Sequence, residues 1–411
     1  MKSANVVLKA QSPAYGGLAI GRMDGKVVMI KGAIPGETVE VSITKDKKDY
    51  SEATVERVIE PSEDRCVPPC RYFGTCGGCQ LQYIRYDRQV SIKEDVLKDC
   101  LKRIAGLDVT LSEPLSGEPY NYRHRGQFKA AQGKLGLYRE KSHEVVDIES
   151  CPLMVAEVNE GLATLRRVLK GAVYSEAHIV HGESTLALIK GARSDSANWG
   201  RLIGKHGGGF AGVYVESTDK GPIKLGLEYI TLDLDGLQYT VSPTSFFQGH
   251  WRLNQSVVKL IIQALQPLEG KRVLDLYAGA GNFALPLALH ARGVTAVEEV
   301  PSAVNDGKRN ARINGIKNCK FIRTNVDSLR TTDRVDILIA DPPREGLSPA
   351  ALDKALLLKP EKIAYVSCNP ASLSRDIKKL GGQYELESIR MVDFFPQTYH
   401  IESVSFLKRK V

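Results

Sequence analysis

The sequence predicts an α/β protein built in three parts, and three observations carry that reading. From about residue 241, strand-like runs alternate with helix-like runs, the pattern of a parallel sheet covered by helices. Residues 1–60 hold short alternating strands broken at Gly16-Gly17, Asp24-Gly25 and Pro35-Gly36, which is the turn chemistry of a small β-barrel. Between these parts lies a strand-rich stretch headed by a crowd of cysteines at 66, 70, 76 and 79.

Composition sets the bounds. A chain of 411 residues can bury two or three cores. Hydrophobic content of 43% and charged content of 25% are ordinary for a soluble protein. No apolar run approaches a membrane span, and residues 1–11 lack a signal-peptide core. A cytoplasmic protein with no membrane partner is expected, working as a monomer. The formal charge of +8 favours a polyanionic partner. Without a secretory signal, the crowded cysteines argue for a metal or cluster rather than disulfides.

In chain order, the barrel strands read at 27–30 and 38–43. Tyr15, Arg22, Lys45, Lys47 and Lys48 could serve a nucleic acid there, or could simply be solvated. Residues 61–64 form a linker before Cys66-x3-Cys70-x5-Cys76-x2-Cys79. Those four thiols could hold zinc alone. An iron–sulfur cluster that borrows a remote ligand is the rival, with Cys151 the obvious candidate. Residues 89–107 predict an amphipathic helix with Val90, Leu97, Leu101 and Ile104 on one stripe. Helices are expected near 153–170 and 195–205, and a flexible turn at 205–209. Asn121-Tyr122-Arg123-His124-Arg125 opens an alternating strand, with Arg139 and Lys141 on a later one. An aromatic beside alternating cations suits stacking and phosphate contacts, and equally suits a solvated face.

In the last part, the strand 272–277 runs into Ala278-Gly279-Ala280-Gly281-Asn282-Phe283-Ala284. Gly279, Gly281 and Ala284 satisfy a dinucleotide fingerprint. Asp275 opposes that reading, because a carboxylate just before the turn repels a pyrophosphate but welcomes an ammonium or sulfonium. S-adenosylmethionine is therefore the expected cofactor, with Glu298 ending the next strand and placed for the ribose hydroxyls. Further strands end at Asn325 and Asp341. Asp341-Pro342-Pro343-Arg344 lacks both the aromatic of amine methylases and the cysteine of cytosine-5 methylases. The thiol comes one strand later. The run 362–366 leads to Ser367-Cys368-Asn369-Pro370, which puts Cys368 at a strand's carboxyl edge, with a helix at 372–377.

These pieces resemble a known family. Residues 14–21 with 32–37 resemble a TRAM domain, an RNA-binding OB-like barrel. The whole chain resembles RNA uracil-5-methyltransferases, in the ribosomal-RNA branch with an iron–sulfur cluster. The likeness rests on Cys70-x5-Cys76-Gly-Gly-Cys79, Phe246-Phe247-Gln248, Asp341-Pro342-Pro343-Arg344-x-Gly346, Ser367-Cys368-Asn369-Pro370 and Phe395-Pro396-x-Thr398-x-His400-x-Glu402.

The resemblance implies a Rossmann-like methyltransferase domain over 241–411, a TRAM barrel over 1–60 and a central RNA-binding domain over 61–240. It implies that Cys70, Cys76, Cys79 and Cys151 hold a [4Fe–4S] cluster, with Cys66 a bystander. Gln248, Tyr277, Glu298, Asn325 and Asp341 would line the S-adenosylmethionine site, with Asn282 close by. Cys368 would be the nucleophile and Glu402 the base. His250 stands where the family usually has Asn. The expected product is 5-methyluridine in RNA, with 23S ribosomal RNA the expected substrate. Transfer RNA, and a non-catalytic RNA-binding role, stay open.

The chemistry explains the pairing of a thiol with a carboxylate. Carbon 5 of uracil is a weak nucleophile until a thiolate adds to carbon 6 and makes an enolate. After methylation the adduct keeps a proton on carbon 5, which a carboxylate must remove before the thiolate can leave. The target base must also leave its stack to reach the thiol.

Overall fold

The computed structural model describes residues 5–204, 209–330 and 334–410. The turn expected at 205–209 falls mostly outside them. Six strands make the first part: β1 (Val6–Lys9), β2 (Ser12–Ala14), β3 (Leu18–Met23), β4 (Lys26–Lys31), β5 (Thr38–Asp46) and β6 (Tyr50–Glu60). Their order is β1-β5-β6-β4-β3-β2. β1 pairs with β5 at one edge and β2 with β3 at the other, so one continuous stretch closes the sheet into a barrel. Alternate residues of β4 and β5, such as Val28, Ile30, Val39 and Val41, fill its core.

The barrel is docked, not merely tethered. Arg65 grips the buried Glu37 with two bonds of 2.6 Å, and Ile34 packs with Leu81, Tyr83, Ile84 and Ile92.

The helix α1 (Tyr86–Cys100) and the strand β7 (Ser112–Leu115) follow. The sequence groups both with the central part, yet both pack on the C-terminal sheet. The central sheet contains β8 (Arg125–Ala131), β9 (Lys134–Tyr138), β10 (Val145–Asp147), β11 (Glu176–His181), β12 (Thr185–Ala192), β13 (Gly212–Ser217) and β14 (Ile223–Gly226). The helix α2 (Ala156–Val168) covers it through Leu162 and Leu165. The second helix expected here is only a short 3-10 turn at Trp199–Leu202.

A hairpin of β15 (Ile230–Leu234) and β16 (Leu237–Val241) leads into α3 (Trp251–Leu265). Then come β17 (Arg272–Leu276), α4 (Ala284–Ala288), β18 (Gly293–Glu298), α5 (Pro301–Ile313), β19 (Cys319–Arg323) and β20 (Ile337–Ala340). The chain ends with α6 (Pro349–Leu358), β21 (Lys362–Ser367), α7 (Pro370–Leu380), β22 (Tyr384–Val392) and β23 (Glu402–Arg409). The sheet order is β19-β18-β17-β20-β21-β23-β22-β7. The first five are parallel and β23 runs against β21. Alternate residues of β20 enter opposite cores, Ile337 and Ile339 on one face and Leu338 and Ala340 on the other. Chain order reverses between β17 and β20, so their carboxyl ends open a crevice. No helix among the described residues is long and apolar enough to cross a membrane.

α1 ties the loop between β22 and β23 in place. Lys93 donates to Asp393 at 2.7 Å and to the Phe395 carbonyl at 3.0 Å. The two ionic side chains are only 2% and 0% exposed. Gln89 and Gln397 bond reciprocally at 2.9 and 3.0 Å. Lys93→Ala leaves the Asp393 charge buried and unpaired, which should cost about 3–5 kcal/mol in urea denaturation. Lys93→Met with Asp393→Leu should recover most of that loss. A single-mutant loss below about 1 kcal/mol would show the pair to be dispensable.

Candidate active site and the cleft beside it

Register builds the site. β21 and β23 pair with Val366 opposite Val404 and Ser367 opposite Ser403. One step further along that register sets Cys368 across from Glu402. Asn369 stops β21 and caps α7, its side chain accepting from the Ala371 and Ser372 amides at 2.9 and 3.4 Å, and Pro370 fits the first turn. The strand β23 begins at Glu402 itself, and Tyr399 and His400 lie in the preceding loop. Asp341 follows β20, the neighbour of β21.

Two carboxyl groups and a thiol therefore share a poorly solvated corner. Burial, then the charges of Glu402 and Asp341, push the Cys368 thiol up to about 12, while Arg344 opposes them. Burial and Asp341 hold the Glu402 carboxyl well above its usual range, and its residue is only 7% exposed. Burial raises Asp341 to about 7. Arg344 is the cation that sequence reading left without a role. Its guanidinium lies 3.4 Å from His400, and its carbonyl accepts from Asn369 at 3.1 Å and Ser372 at 3.0 Å. Lys93 also favours the charged form of Glu402, another contribution the sequence did not announce.

The expected cofactor residues gather at the crevice unevenly. Asp275 is fully buried at the end of β17, and its oxygens find no full hydrogen bond, the Ala284 amide giving only weak help. Burial, with Asp341 and Glu298 nearby, raises its carboxyl well above the usual range. Glu298 accepts from the Gly279 amide at 3.0 Å and the Val300 amide at 2.8 Å, which fixes it beside the glycine turn. Tyr277 sits at φ +62, an uncommon left-handed conformation for an aromatic residue. Asn325 caps the turn at Val326–Ser328 and donates to Glu299 at 2.7 Å. Asn282 pairs reciprocally with Asn254 at 2.7 and 3.0 Å, and Gln248 stands half-buried on the loop before α3. His250 stacks on Tyr122 at 4.7 Å, and burial lowers it to about 4, so the ring is neutral.

Cys70, Cys76, Cys79 and Cys151 line one small cavity between the cysteine loop and the central domain. Gly77 makes this approach possible, since a Cβ there would stand 2.9 Å from the Glu140 amide nitrogen. Cys66 points to the Gln82 carbonyl at 3.4 Å. Among the described residues, no group of three His, Cys, Asp or Glu side chains could hold a single metal ion.

Beside the site runs a cleft of about 1510 Å³. Met29, Lys31 and Thr54 of the barrel line it, together with Tyr138, Arg139, Lys141, Tyr399 and His400. Arg139 and Lys141 occupy the turn after β9 rather than a strand. Arg125 is not on the exposed face that the alternation suggests. It is buried and donates to the Ser245 carbonyl at 2.7 Å. Lys45 and Lys47 pair with Glu52 at 3.3 and 3.8 Å.

The electrostatics make a prediction for the free protein. Alkylation of Cys368 by iodoacetamide, followed on its own peptide, should still be climbing at pH 9 because the thiol titrates so high. Arg344 favours the thiolate, so Arg344→Gln should slow alkylation at pH 8 by roughly threefold. Equal or faster alkylation in the variant would refute that role.

Comparison with known proteins identifies the family and the fold. The family model for tRNA (uracil-5-)-methyltransferase matches residues 215–410, and that for the TRAM domain matches residues 5–55. An uncharacterized RNA methyltransferase of Aquifex aeolicus is 35% identical over the whole of both chains. The 23S rRNA (uracil(1939)-C(5))-methyltransferase of Shewanella amazonensis is 35% identical, across 99% of this chain and 96% of its own. The fold is that of the tRNA (uracil-54, C5)-methyltransferase of Pyrococcus abyssi, with a TM-score of 0.79, 24% identity, and coverage of 98% and 100% of the two chains. With relatives this similar along its whole length, the chain belongs to the family of S-adenosylmethionine-dependent RNA uracil-5-methyltransferases and carries a TRAM domain.

Proposed function

We propose that the protein methylates carbon 5 of one uridine in 23S ribosomal RNA through a covalent adduct at Cys368. The register that sets Cys368 opposite Glu402 carries the chemical part of the reading. The ribosomal substrate rests on the 35% identity to the Shewanella amazonensis enzyme, along nearly all of both chains. The transfer-RNA enzyme from Pyrococcus abyssi shares only 24% identity and supports the fold alone.

In this reading the cleft binds RNA and an extruded uracil enters beside Cys368. The Cys368 thiol would release its proton to solvent and add to carbon 6 as the thiolate, leaving an enolate whose carbon 5 would take the methyl group that bound S-adenosylmethionine supplies. Glu402, in the carboxylate form that Arg344 and Lys93 favour against burial, would then remove the carbon 5 proton, and the thiolate would leave as the double bond re-forms. Asp275 and Asp341, two buried acids whose carboxyls burial raises, support a cationic cofactor at the crevice, since a cation there would favour their charged forms. A positive charge beside Asp341 also offsets one of the charges that keep Cys368 protonated. Gln248, Tyr277, Glu298, Asn325 and Asp341, with Asn282 close by, form the expected lining of that site.

Two variants test the order of events. Cys368→Ala should bind RNA and cofactor yet transfer no methyl group. Glu402→Gln should transfer it and then stall as a methylated adduct that survives a denaturing gel. Turnover near the unmutated rate in either variant sinks the assignment.

The four cysteines that share a cavity support a [4Fe–4S] cluster bound by Cys70, Cys76, Cys79 and Cys151. When bound, it would cross-link the loop that carries the first three to the segment that carries the fourth. Protein purified without air should be brown, with about four iron atoms per chain. Stoichiometric zinc without iron would overturn this part.

A further inference from the structure

The barrel does more than lie beside the active site. The turn between β2 and β3 carries Tyr15, Gly16 and Gly17 against the loop that precedes Glu402. Gly17 sits at φ +73, and a Cβ there would stand 3.3 Å from the Leu81 side chain and 3.4 Å from the Tyr399 side chain. The hairpin tip therefore touches the catalytic loop with only a glycine's clearance. Tyr15 meets Tyr399 edge to face at 5.6 Å, and Tyr399 packs on His400 at 4.5 Å. His400 in turn faces Arg344.

Despite this packing, Tyr15 remains 39% exposed, and its hydroxyl meets no hydrogen-bond partner among the described residues. The charged and titratable groups around it are Tyr399, Arg344, Cys368 and Glu402, which together frame the reacting corner. An aromatic ring so placed is partly exposed and makes no hydrogen bond among the described residues. The turn that carries it borders the cleft, because Gly16 and Gly17 line that cleft along with Tyr399 and His400. An RNA strand lying in that part of the cleft is next to the turn that carries this ring.

We propose that Tyr15 is a base-positioning residue, and that the barrel's hairpin tip supplies one wall of the pocket that receives the extruded uracil. The proposal rests on the uracil-5 reading and deepens it. A base leaving its stack loses contact on both faces, and an aromatic side chain replaces part of that contact without reading sequence. Because the wall comes from a separate domain, the pocket is complete only when the barrel is seated. The firm docking through Arg65, Glu37 and Ile34 fits that requirement.

The test uses the intact holoenzyme, S-adenosylmethionine and 23S ribosomal RNA transcribed with 5-fluorouridine, whose fluorine cannot leave and so traps the adduct. Adduct formation is timed at saturating RNA, and RNA and cofactor affinities are measured separately. Tyr15→Ala should slow adduct formation by roughly ten- to a hundredfold, with both affinities changed by less than about threefold. Tyr15→Phe, which keeps the ring, should restore most of the rate. An unchanged rate in Tyr15→Ala overturns the proposal. So does weaker RNA binding with an unchanged saturating rate, which would make Tyr15 a backbone contact. Failure of Tyr15→Phe to restore the rate overturns the ring's role as well. No adduct from the unmutated enzyme takes down the uracil-5 reading and this proposal together, whereas normal trapping in Tyr15→Ala takes down Tyr15 alone.

Discussion

One antiparallel pairing organises the active corner: β23 lies beside β21 in a sheet that is otherwise parallel around the crevice. In a purely parallel sheet, the residue after β21 would face only the carboxyl ends of other strands. Reversing β23 brings a strand's first residue to that edge instead, so a carboxylate from the chain's end meets a thiol from the loop before α7. The ladder fixes this meeting along its length, from Lys362 opposite Lys408 to Ser367 opposite Ser403. A slip of one residue would move Glu402 to the other face and turn the alternation of β23 inside out. Hydrophobic burial of Val404 and Phe406 on one side and Leu407 on the other resists that slip.

Juxtaposition creates an electrostatic difficulty that the rest of the site has to manage. Cys368, Glu402, Asp341 and Asp275 are all acids, and burial disfavours every one of their charges. Arg344 and Lys93 are the cations that work against this. Lys93 is spoken for by Asp393, so it acts on Glu402 from a fixed position instead of swinging toward it. Arg344 lies on the loop after β20 and leans on His400, whose ring burial and nearby cations keep neutral. The neutral imidazole thus supports the guanidinium without competing with it for the acids. In its free state the protein favours the thiol over the thiolate at Cys368, which suits an enzyme whose nucleophile should wait for its base.

Much of this was legible in the sequence because it depends on local chemistry. Strand β21, the Asn-Pro stop and the helix after it follow from β-branched residues, proline geometry and capping. The glycine turn after β17 and the acid before it announced a cationic cofactor in the same local way. Long-range packing was not legible. Helix α1 has an amphipathic face that any sheet could cover, and nothing in its own residues says that the sheet lies far along the chain. Alternation at Arg123 and Arg125 implied a common exposed face, yet β8 begins only at Arg125, whose guanidinium is drawn inward by the Ser245 carbonyl. Of the helix expected over 195–205, the described residues, 195–204, form one 3-10 turn at Trp199–Leu202, with Trp199 and Leu202 buried. Arg344 was visible as a residue but silent as a function, because its importance comes from which acids surround it.

His250 stands where the resemblance implies an Asn, and its surroundings at the junction between central and C-terminal parts show what the imidazole does there. His250 precedes α3 as its N-cap yet gives that helix no side-chain cap, the role an Asn could fill. Its ring instead stacks on Tyr122 and presses on Gly117, where a Cβ would come within 2.7 Å of the ring nitrogen. Both ring nitrogens are buried without a hydrogen-bond partner, so the position trades polar satisfaction for shape. The backbone carries the join meanwhile, with the His124 amide donating to the Gly249 carbonyl at 2.9 Å and a bridge between Arg123 and His250. Those bonds involve no side chain, and the glycine at 117 supplies the room that the ring needs.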